Sequence, residues 1–185
     1  MAKLRPFRDY SEHDVINLYA FDGVSAQRGD IVKLTATKGW VNGKDWKLDS
    51  SESMLNFALG NVVSERHSLK SRVEHADSGD YAVGMLLYDV SETDENGEKL
   101  LYNPRKAVEM QTVVSGQAVP VVTDGLFLVN GITNPTLADA GSTAWAIDDG
   151  QIAALPVGLE GTARKIGKFM GAVATGGDVL LKLEL

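Results

Sequence analysis

Two stretches of the chain alternate apolar and polar residues with the period of two that is typical of half-buried β-strands. In GDIVKLTAT (29–37), one side of the predicted strand carries Val32, Leu34 and Ala36. In DVLLKLEL (178–185), the odd-numbered residues from Val179 to Leu185 are all apolar and fall on one face. We therefore predict that each stretch is a strand with one face against a core.

Three further runs are apolar at nearly every position, namely VINLYAF (15–21), VGMLLYDV (83–90) and AVPVV (118–122). A strand with apolar residues on both faces is typical of the interior of a β-protein, where both faces are covered. We expect 83–90 and 118–122 to form the centre of the core, and we expect VINLYAF to be a buried strand.

Dipeptides that adopt the positive φ angles of tight turns separate several of these runs. Asn96-Gly97 predicts a hairpin that pairs strands near 84–92 and 98–102, and Asp149-Gly150 predicts a second hairpin. Asp124-Gly125 fits two alternatives, a third turn or a bulge within one bent strand. The sequence does not separate these two alternatives.

The best helix candidate is NPRKAVEM (103–110). Asn103 is a suitable N-cap and Pro104 suits the first helical position, so we predict one short helix here. Residues 52–75 are ambiguous, because their apolar residues have roughly helical spacing while Gly60 interrupts the pattern. We favour strands for that segment.

These elements predict an all-β fold, a compact barrel or sandwich of short antiparallel strands with one short helix and an extended N-terminal arm. The 19 glycines and the repeated turn signals favour many short strands over a few long helices. The composition changes near Gly23. We therefore divide the chain into an N-terminal arm with the first strand (1–23) and a single β-rich domain (24–185).

Charge and cysteine content restrict the partners and the chemistry. The chain has 25 acidic and 18 basic residues and a formal net charge of −7, so it should repel the phosphates of nucleic acid. It has no cysteine, which excludes disulfides and thiolate metal sites. No run approaches the roughly 20 apolar residues of a membrane span, so we expect no membrane partner.

Sequence motifs for catalysis or metal binding are missing. His13, His67 and His75 do not form an HExxH or similar ligand pair, and no GxSxG or phosphate-binding glycine motif occurs. We therefore predict no metal, no cofactor and no enzymatic activity. A serine, a histidine and an aspartate can still converge in three dimensions, which leaves a hydrolase as an alternative.

The segment RPFRDYSEHD (5–14) has no regular period and combines aromatic residues with arginines, which are enriched at protein interfaces. We predict that it is an arm that contacts a partner. The candidate contact residues are Arg5, Phe7, Arg8, Tyr10, Glu12 and His13. The alternative is that these residues fold back on the domain's own surface.

Three stretches carry a resemblance to a known family, namely RPFRDYSEHDVINLYA (5–20), LLYDVSETDENGEKLLYNPRKAVEM (86–110) and SGQAVPVVTDGLFLVNG (115–131). In these stretches the chain resembles virion structural proteins of tailed bacteriophages, in particular the head decoration, or cement, proteins of phages that infect cyanobacteria. The likeness spans most of the first 131 residues, and the last third matches more loosely.

The resemblance implies a non-enzymatic protein that is made in the host cytoplasm and lies on the outer surface of the assembled phage head. There it would bind the major capsid protein, bridge neighbouring capsid subunits and stabilise the shell. The resemblance also implies self-association as a homodimer or homotrimer, and the sequence does not select between these states.

A different virion function is the main alternative. A tail- or fibre-associated module would bind host glycans through exposed Trp40, Trp46 or Trp145, because aromatic side chains offer flat apolar platforms to ligands. The second alternative is the small all-β hydrolase, which would use one of the histidines with an aspartate.

Overall fold

The structure is a computed structural model that describes residues 4–7, 11–36, 71–156, 158 and 161–185. The described part consists mainly of strands, which confirms the predicted all-β class. The strands are β1 (Leu4–Pro6), β2 (Val15–Phe21), β3 (Ser25–Ala26), β4 (Ile31–Leu34), β5 (Arg72–His75), β6 (Ala82–Leu86), β7 (Asp89–Ser91), β8 (Thr112–Val114), β9 (Ala118–Val122), β10 (Asp124–Asn130), β11 (Thr143–Ala146), β12 (Ile152–Ala154), β13 (Arg164–Phe169) and β14 (Asp178–Glu184).

The described helical elements are short. They are the α-helix α1 (Pro104–Glu109) and 3₁₀ turns at Glu12–Asp14, Leu100–Tyr102, Pro135–Leu137 and Asp148–Gly150. The predicted helix is confirmed, because the Asn103 side chain caps α1 by accepting a hydrogen bond from the Lys106 backbone N–H. Pro104 occupies the first turn, where a missing N–H leaves no bond unmade.

The strands form three sheets. A six-stranded sheet has the order β1-β10-β14-β13-β11-β12, and a closed five-stranded barrel has the order β2-β5-β4-β6-β9. The third sheet is small, with the order β3-β7-β8. Most pairs are antiparallel, as predicted, but β2 pairs with β5 and β7 pairs with β8 in parallel.

Two hydrophobic cores explain why some strands are apolar on both faces. One core fills the barrel and includes Val32, Leu86 and Val121, while the other lies between the barrel wall and the six-stranded sheet and includes Ile31, Met85 and Val122. Successive residues of β4, β6 and β9 therefore point into different cores. This confirms the prediction that 83–90 and 118–122 supply strands buried on both faces.

Strand β4 differs from its predicted burial pattern. Ile31 and Val32 are both buried, whereas Leu34 and Ala36, predicted to share the buried side with Val32, are exposed. Leu34 pairs with Val73 of β5, but the pairing of β4 with β6 ends at Lys33, so Leu34 lies at the end of the barrel wall. The prediction for DVLLKLEL is confirmed for Val179, Leu181 and Leu183, while Leu185 lies beyond the end of β14 and is exposed.

The two predicted hairpins have different outcomes. Asp149-Gly150 joins the antiparallel strands β11 and β12, and both residues have positive φ angles, so this hairpin is confirmed. At Asn96-Gly97 the turn is present and a short antiparallel pairing follows it, with a bridge between Thr93 and Lys99, but the predicted strand over 98–102 is wrong because Leu100–Tyr102 is a 3₁₀ turn. The buried Asp94 carboxylate accepts hydrogen bonds from the backbone N–H groups of residues 96 and 98 at 2.8 Å, which holds the turn closed.

The chain crosses from the barrel to the six-stranded sheet at Thr123, between β9 and β10. Asp124 and Gly125 are the first residues of β10, so they belong to one bent path rather than to a hairpin turn. In β2, Ala20 and Phe21 are buried but Asn17 and Leu18 are exposed, so the prediction of a buried strand is wrong for its middle.

Two other sequence predictions concern segments that lie partly outside the described residues. In the ambiguous segment, residues 52–70 lie outside them, and the remainder contributes the strand β5. In the predicted arm (1–23), residues 4–6 form β1 and residues 15–21 form β2, so two parts of it belong to different sheets. Leu4 is buried in the core between barrel and sheet.

Candidate interaction surface

The six-stranded sheet has one face against the core and a second face, here called the outer face, that carries apolar residues and remains partly open. Alternation along the strands sends Phe127, Leu181 and Phe169 inward, where they are fully buried. Their neighbours turn outward, and the register of the strands places them in rows. The outer face is defined by Arg5, Phe7, Leu126, Leu128, Leu180, Lys182, Lys168 and Met170.

Two rows of side chains cross this face. In the first row, Arg5 lies opposite Leu128, Leu128 lies opposite Leu180, and the backbone N–H of Met170 donates to the carbonyl of Leu180 at 2.8 Å. The first row is therefore apolar apart from the arginine at its end.

In the second row, the backbone N–H of Phe7 donates to the carbonyl of Leu126 at 2.9 Å. Leu126 lies opposite Lys182, and Lys182 lies opposite Lys168. The second row therefore changes from aromatic and aliphatic at β1 to cationic at β13.

Exposure distinguishes the outer face from the inner one. Phe7 is 57% exposed and Met170 is 49% exposed, whereas Leu126, Leu128 and Leu180 are half-buried. A contiguous apolar patch on a soluble protein is characteristic of a binding surface, because leaving such surface in water is unfavourable. The outer face therefore has the composition of a protein-binding site.

The charges of the outer face are arranged around one carboxylate. Lys182 contacts Glu184 at 2.5 Å and Lys165 contacts it at 3.9 Å. The hydrogen bond from Lys182 holds the pKa of the Glu184 carboxyl below its ordinary value, and the charges of Lys182, Lys165 and Lys168 act in the same direction. Among the described residues, three lysines therefore surround Glu184 and the Asp124 opposite it, so positive charges exceed negative ones in this part of the face.

Strand β1 forms the edge of the outer face. Arg5 pairs with Asp178 of β14 across β10, which fixes the guanidinium on this side of the sheet. Because Phe7 is in a hydrogen-bonded pair with Leu126, the preceding Pro6 turns its backbone away from β10. Proline has no N–H, so the free edge of β1 lacks a donor at this position.

The structure brings only part of the predicted contact set together. Arg5 and Phe7 lie on the outer face, whereas Glu12 and His13 are exposed on the 3₁₀ turn Glu12–Asp14 that precedes β2. The Ser11 side chain accepts from the His13 backbone N–H and caps that turn. Arg8 and Tyr10 lie outside the described residues. That any of the six residues contacts a partner stays a prediction.

Most of the outer face was not identified from the sequence. Leu126, Leu128 and Leu180 occur in DGLFLVN and DVLLKLEL, where apolar residues occupy both faces of the strand. That signal was available, but it also fits a strand covered on both sides, as in the barrel wall. Lys168 and Lys182 approach each other only through the pairing of β13 with β14.

A polar groove lies away from the outer face, around His75. It consists of two adjoining cavities of about 360 and 440 Å³ that share Ser25, His75 and Asp149. The buried Asp30 carboxylate lies 3.1 Å from His75 Nε2 and accepts from the Gln27 backbone N–H at 2.8 Å. Asp30 thus closes the turn from Gln27 to Asp30 that precedes β4.

The groove also contains a charged cluster on one wall. Lys33 donates to Asp80 at 2.6 Å and to Asp77 at 3.4 Å. The Asp80 hydrogen bond raises the pKa of Lys33, and the same bond lowers the pKa of Asp80. Ser25, His75 and Asp30 line one cavity, but within the described residues no hydrogen bond joins Ser25 to His75.

The remaining candidate chemistry has limited structural support. Within the described ranges, no group of three or more histidine and acidic residues is arranged to hold a metal ion. Trp145 is half-buried on β11, opposite Lys165, while Trp40, Trp46 and His67 lie outside those ranges. Across the part of the chain that the structure describes, no helix is long and apolar enough to cross a membrane.

No protein-family model matches the chain, and no curated protein has significant sequence similarity to it.

Proposed function

We propose that this protein is a non-enzymatic capsid decoration protein of a tailed phage, which binds the outer surface of the assembled head through the outer face. It would bridge neighbouring subunits of the major capsid protein and stabilise the shell. The observation that carries the proposal is the half-open apolar face of the six-stranded sheet, with Phe7 at its edge. The resemblance of the sequence to decoration proteins supports the choice of a capsid as the partner.

The buried layer of side chains behind the outer face is suited to a contact under mechanical load. Phe127, Phe169, Leu181 and Leu183 are fully buried directly behind it, so the leucines of the outer face project from a packed layer. A surface that is rigid before binding loses little conformational freedom when it docks. The outer face would therefore keep its shape on a shell under internal pressure.

The area of the face suits a contact that is repeated many times. Four strands about 4.8 Å apart and two side-chain rows about 6.8 Å apart cover about 260 Å². A stable one-to-one interface buries about 800 Å² on each partner, so a single copy would bind weakly. A capsid offers hundreds of equivalent sites, and copies that bridge two subunits gain from the high local concentration of the second site.

The proposal is tested by occupancy on phage heads that lack this chain. Leu128→Asp would place a carboxylate in the middle of the outer face, and we expect it to reduce occupancy at least tenfold, since desolvating an unpaired charge opposes docking. The matched control is Val108→Asp, which adds the same charge at a residue of α1 that is 77% exposed. Electron microscopy of decorated heads measures occupancy, and circular dichroism verifies folding of both variants.

Two results would contradict the proposal. Wild-type protein that leaves heads undecorated at high concentration would exclude capsid binding. Equal occupancy of Leu128→Asp and wild type would show that another surface makes the contact. Binding to host glycans, combined with a position on the tail, would instead support the alternative function.

A further inference from the structure

We propose that the surface which docks on the outer face is a protein surface with an apolar centre and carboxylates placed opposite Lys168 and Lys182. The identity of that surface as capsid protein rests on the proposed function above. The chemistry of the surface follows from the charges and the register of the outer face alone.

The first argument is the sign of the local charge. The chain as a whole has a net charge of −7, yet the described charges on this part of the face are those of Lys165, Lys168 and Lys182 against Glu184 and Asp124, which lie opposite each other on β14 and β10. Within the described residues, Lys168 has no carboxylate at ion-pair distance. A positive area on an otherwise acidic protein selects an acidic partner and directs its approach.

The second argument is the pairing of Lys168 with Lys182. These residues lie directly opposite each other on β13 and β14. Like charges at opposite positions of a sheet destabilise it, because their side chains are held close together. Glu184 pairs with Lys182 at 2.5 Å, but among the described ion pairs no carboxylate reaches Lys168, so a partner carboxylate beside Lys168 would further relieve the repulsion.

The third argument separates a protein partner from a phosphate-rich one. Lys182 shares its row with Leu126 and Phe7, and the neighbouring row contains Leu128 and Leu180. A polyphosphate chain has no apolar surface to cover these side chains, and the net negative charge of the protein would repel it. An amphipathic protein segment satisfies both the apolar rows and the lysines.

The test uses two helical peptides of equal length with the same leucine face, one with glutamates and the other with lysines on the polar face. Binding to the full-length protein is followed by NMR shifts of the β10, β13 and β14 amides. We expect the glutamate peptide to bind about tenfold more tightly than the lysine peptide, because two charge pairs form in place of two repulsions. Raising the salt concentration should reduce that preference.

Two double variants with the same net charge locate the effect. Lys168→Gln/Lys182→Gln should remove the preference for the glutamate peptide. The control, Lys99→Gln/Arg105→Gln, removes two cations that pair with Glu92 and Glu109 outside the outer face, and it should keep the preference. Equal binding of both peptides, or shifts that map outside the outer face, would overturn the proposal.

The outcomes on phage heads separate this inference from the proposed function. Undiminished occupancy of Lys168→Gln/Lys182→Gln would overturn the carboxylate contact and leave capsid binding intact. Failure of the wild type to bind heads, with the peptide preference retained, would overturn capsid binding alone. A solution dimer that Leu128→Asp dissociates would assign the outer face to a second copy and overturn the carboxylate proposal.

Discussion

Strands β10 and β14 carry large apolar residues on both of their faces, but the two faces differ in how deeply they are buried. On the inner face, Phe127 and Leu181 are fully buried against the barrel. On the outer face, Leu128 and Leu180 are directly paired and half-buried, and no described element of the chain shields them fully from solvent. Residue type is similar on the two faces, so the difference comes from what packs opposite each one. The inner side chains therefore stabilise the fold, whereas the outer leucines are available for the contact that we propose.

The largest expected effect separates two adjacent leucines of β14. Leu181→Ala removes a fully buried side chain and leaves a cavity, so we expect a loss of about 2–5 kcal/mol in the free energy of unfolding. Leu180→Ala, on the outer face, should reduce it by less than about 1 kcal/mol. Denaturant unfolding of both variants measures the difference. Similar losses would mean that the outer face is part of the folding core.

A smaller effect is expected where β13 approaches β14. A Cβ at Gly167 would lie 2.1 Å from the Lys182 carbonyl oxygen, so Gly167→Ala must push the two strands apart. We expect a loss of about 1–3 kcal/mol, as for other overpacked sites. Gly171→Ala is the control, since a Cβ there meets no atom within 4 Å, and it should stay within about 0.5 kcal/mol of wild type. Equal melting temperatures for the two variants would contradict the close packing of these strands.

The edge of the outer face should contribute still less to stability. Arg5→Ala removes the ion pair with Asp178, and an exposed pair of this kind contributes at most about 1 kcal/mol. Urea unfolding of Arg5→Ala, with Arg105→Ala as the matched control for the exposed Glu109 pair, checks this expectation. A loss above about 2 kcal/mol would show that β1 supports the fold and not only the binding surface.

The smallest expected effect is a pH dependence on the outer face. The pKa of Glu184 is lowered in the folded protein, mainly by the hydrogen bond from Lys182. A lowered carboxyl pKa stabilises the fold above its unfolded value, and that contribution is lost as the pH falls through the folded value. NMR titration of the Glu184 side chain should give a value below that of the denatured chain. Lys182→Gln should move it upward, and an unchanged titration would exclude the proposed contact.

Local signals were the most reliable part of the sequence. Asp149-Gly150 forms its hairpin because both residues take up the turn conformation by themselves. Asn103 and Pro104 likewise specify the start of α1 within one turn of chain. Asn96-Gly97 has the same local signal, but Asp94 binds the turn amides and Lys106, and the strands do not continue. The hydrogen bond between Asp94 and Lys106 joins residues twelve positions apart, so a local turn motif does not predict it.

The candidate surface was only partly predictable for a related reason. Arg5 and Phe7 were chosen from composition, and the structure places both on the outer face. Leu128 precedes Lys168 by 40 residues and Leu180 by 52 residues, and only the order β10-β14-β13 brings the three together. The alternation of side chains along a strand predicts its two faces, but it does not predict which face a second layer will cover. That information lies in the long-range pairing of strands.

The proline at the edge of the sheet has a consequence for molecules held side by side. An open strand edge invites the same edge of a neighbour to add to it, and repeated addition leads to fibrils. Pro6 presents a ring where an incoming backbone would require a donor. Dense arrays of this protein should therefore remain separate particles that can be released and exchanged one at a time.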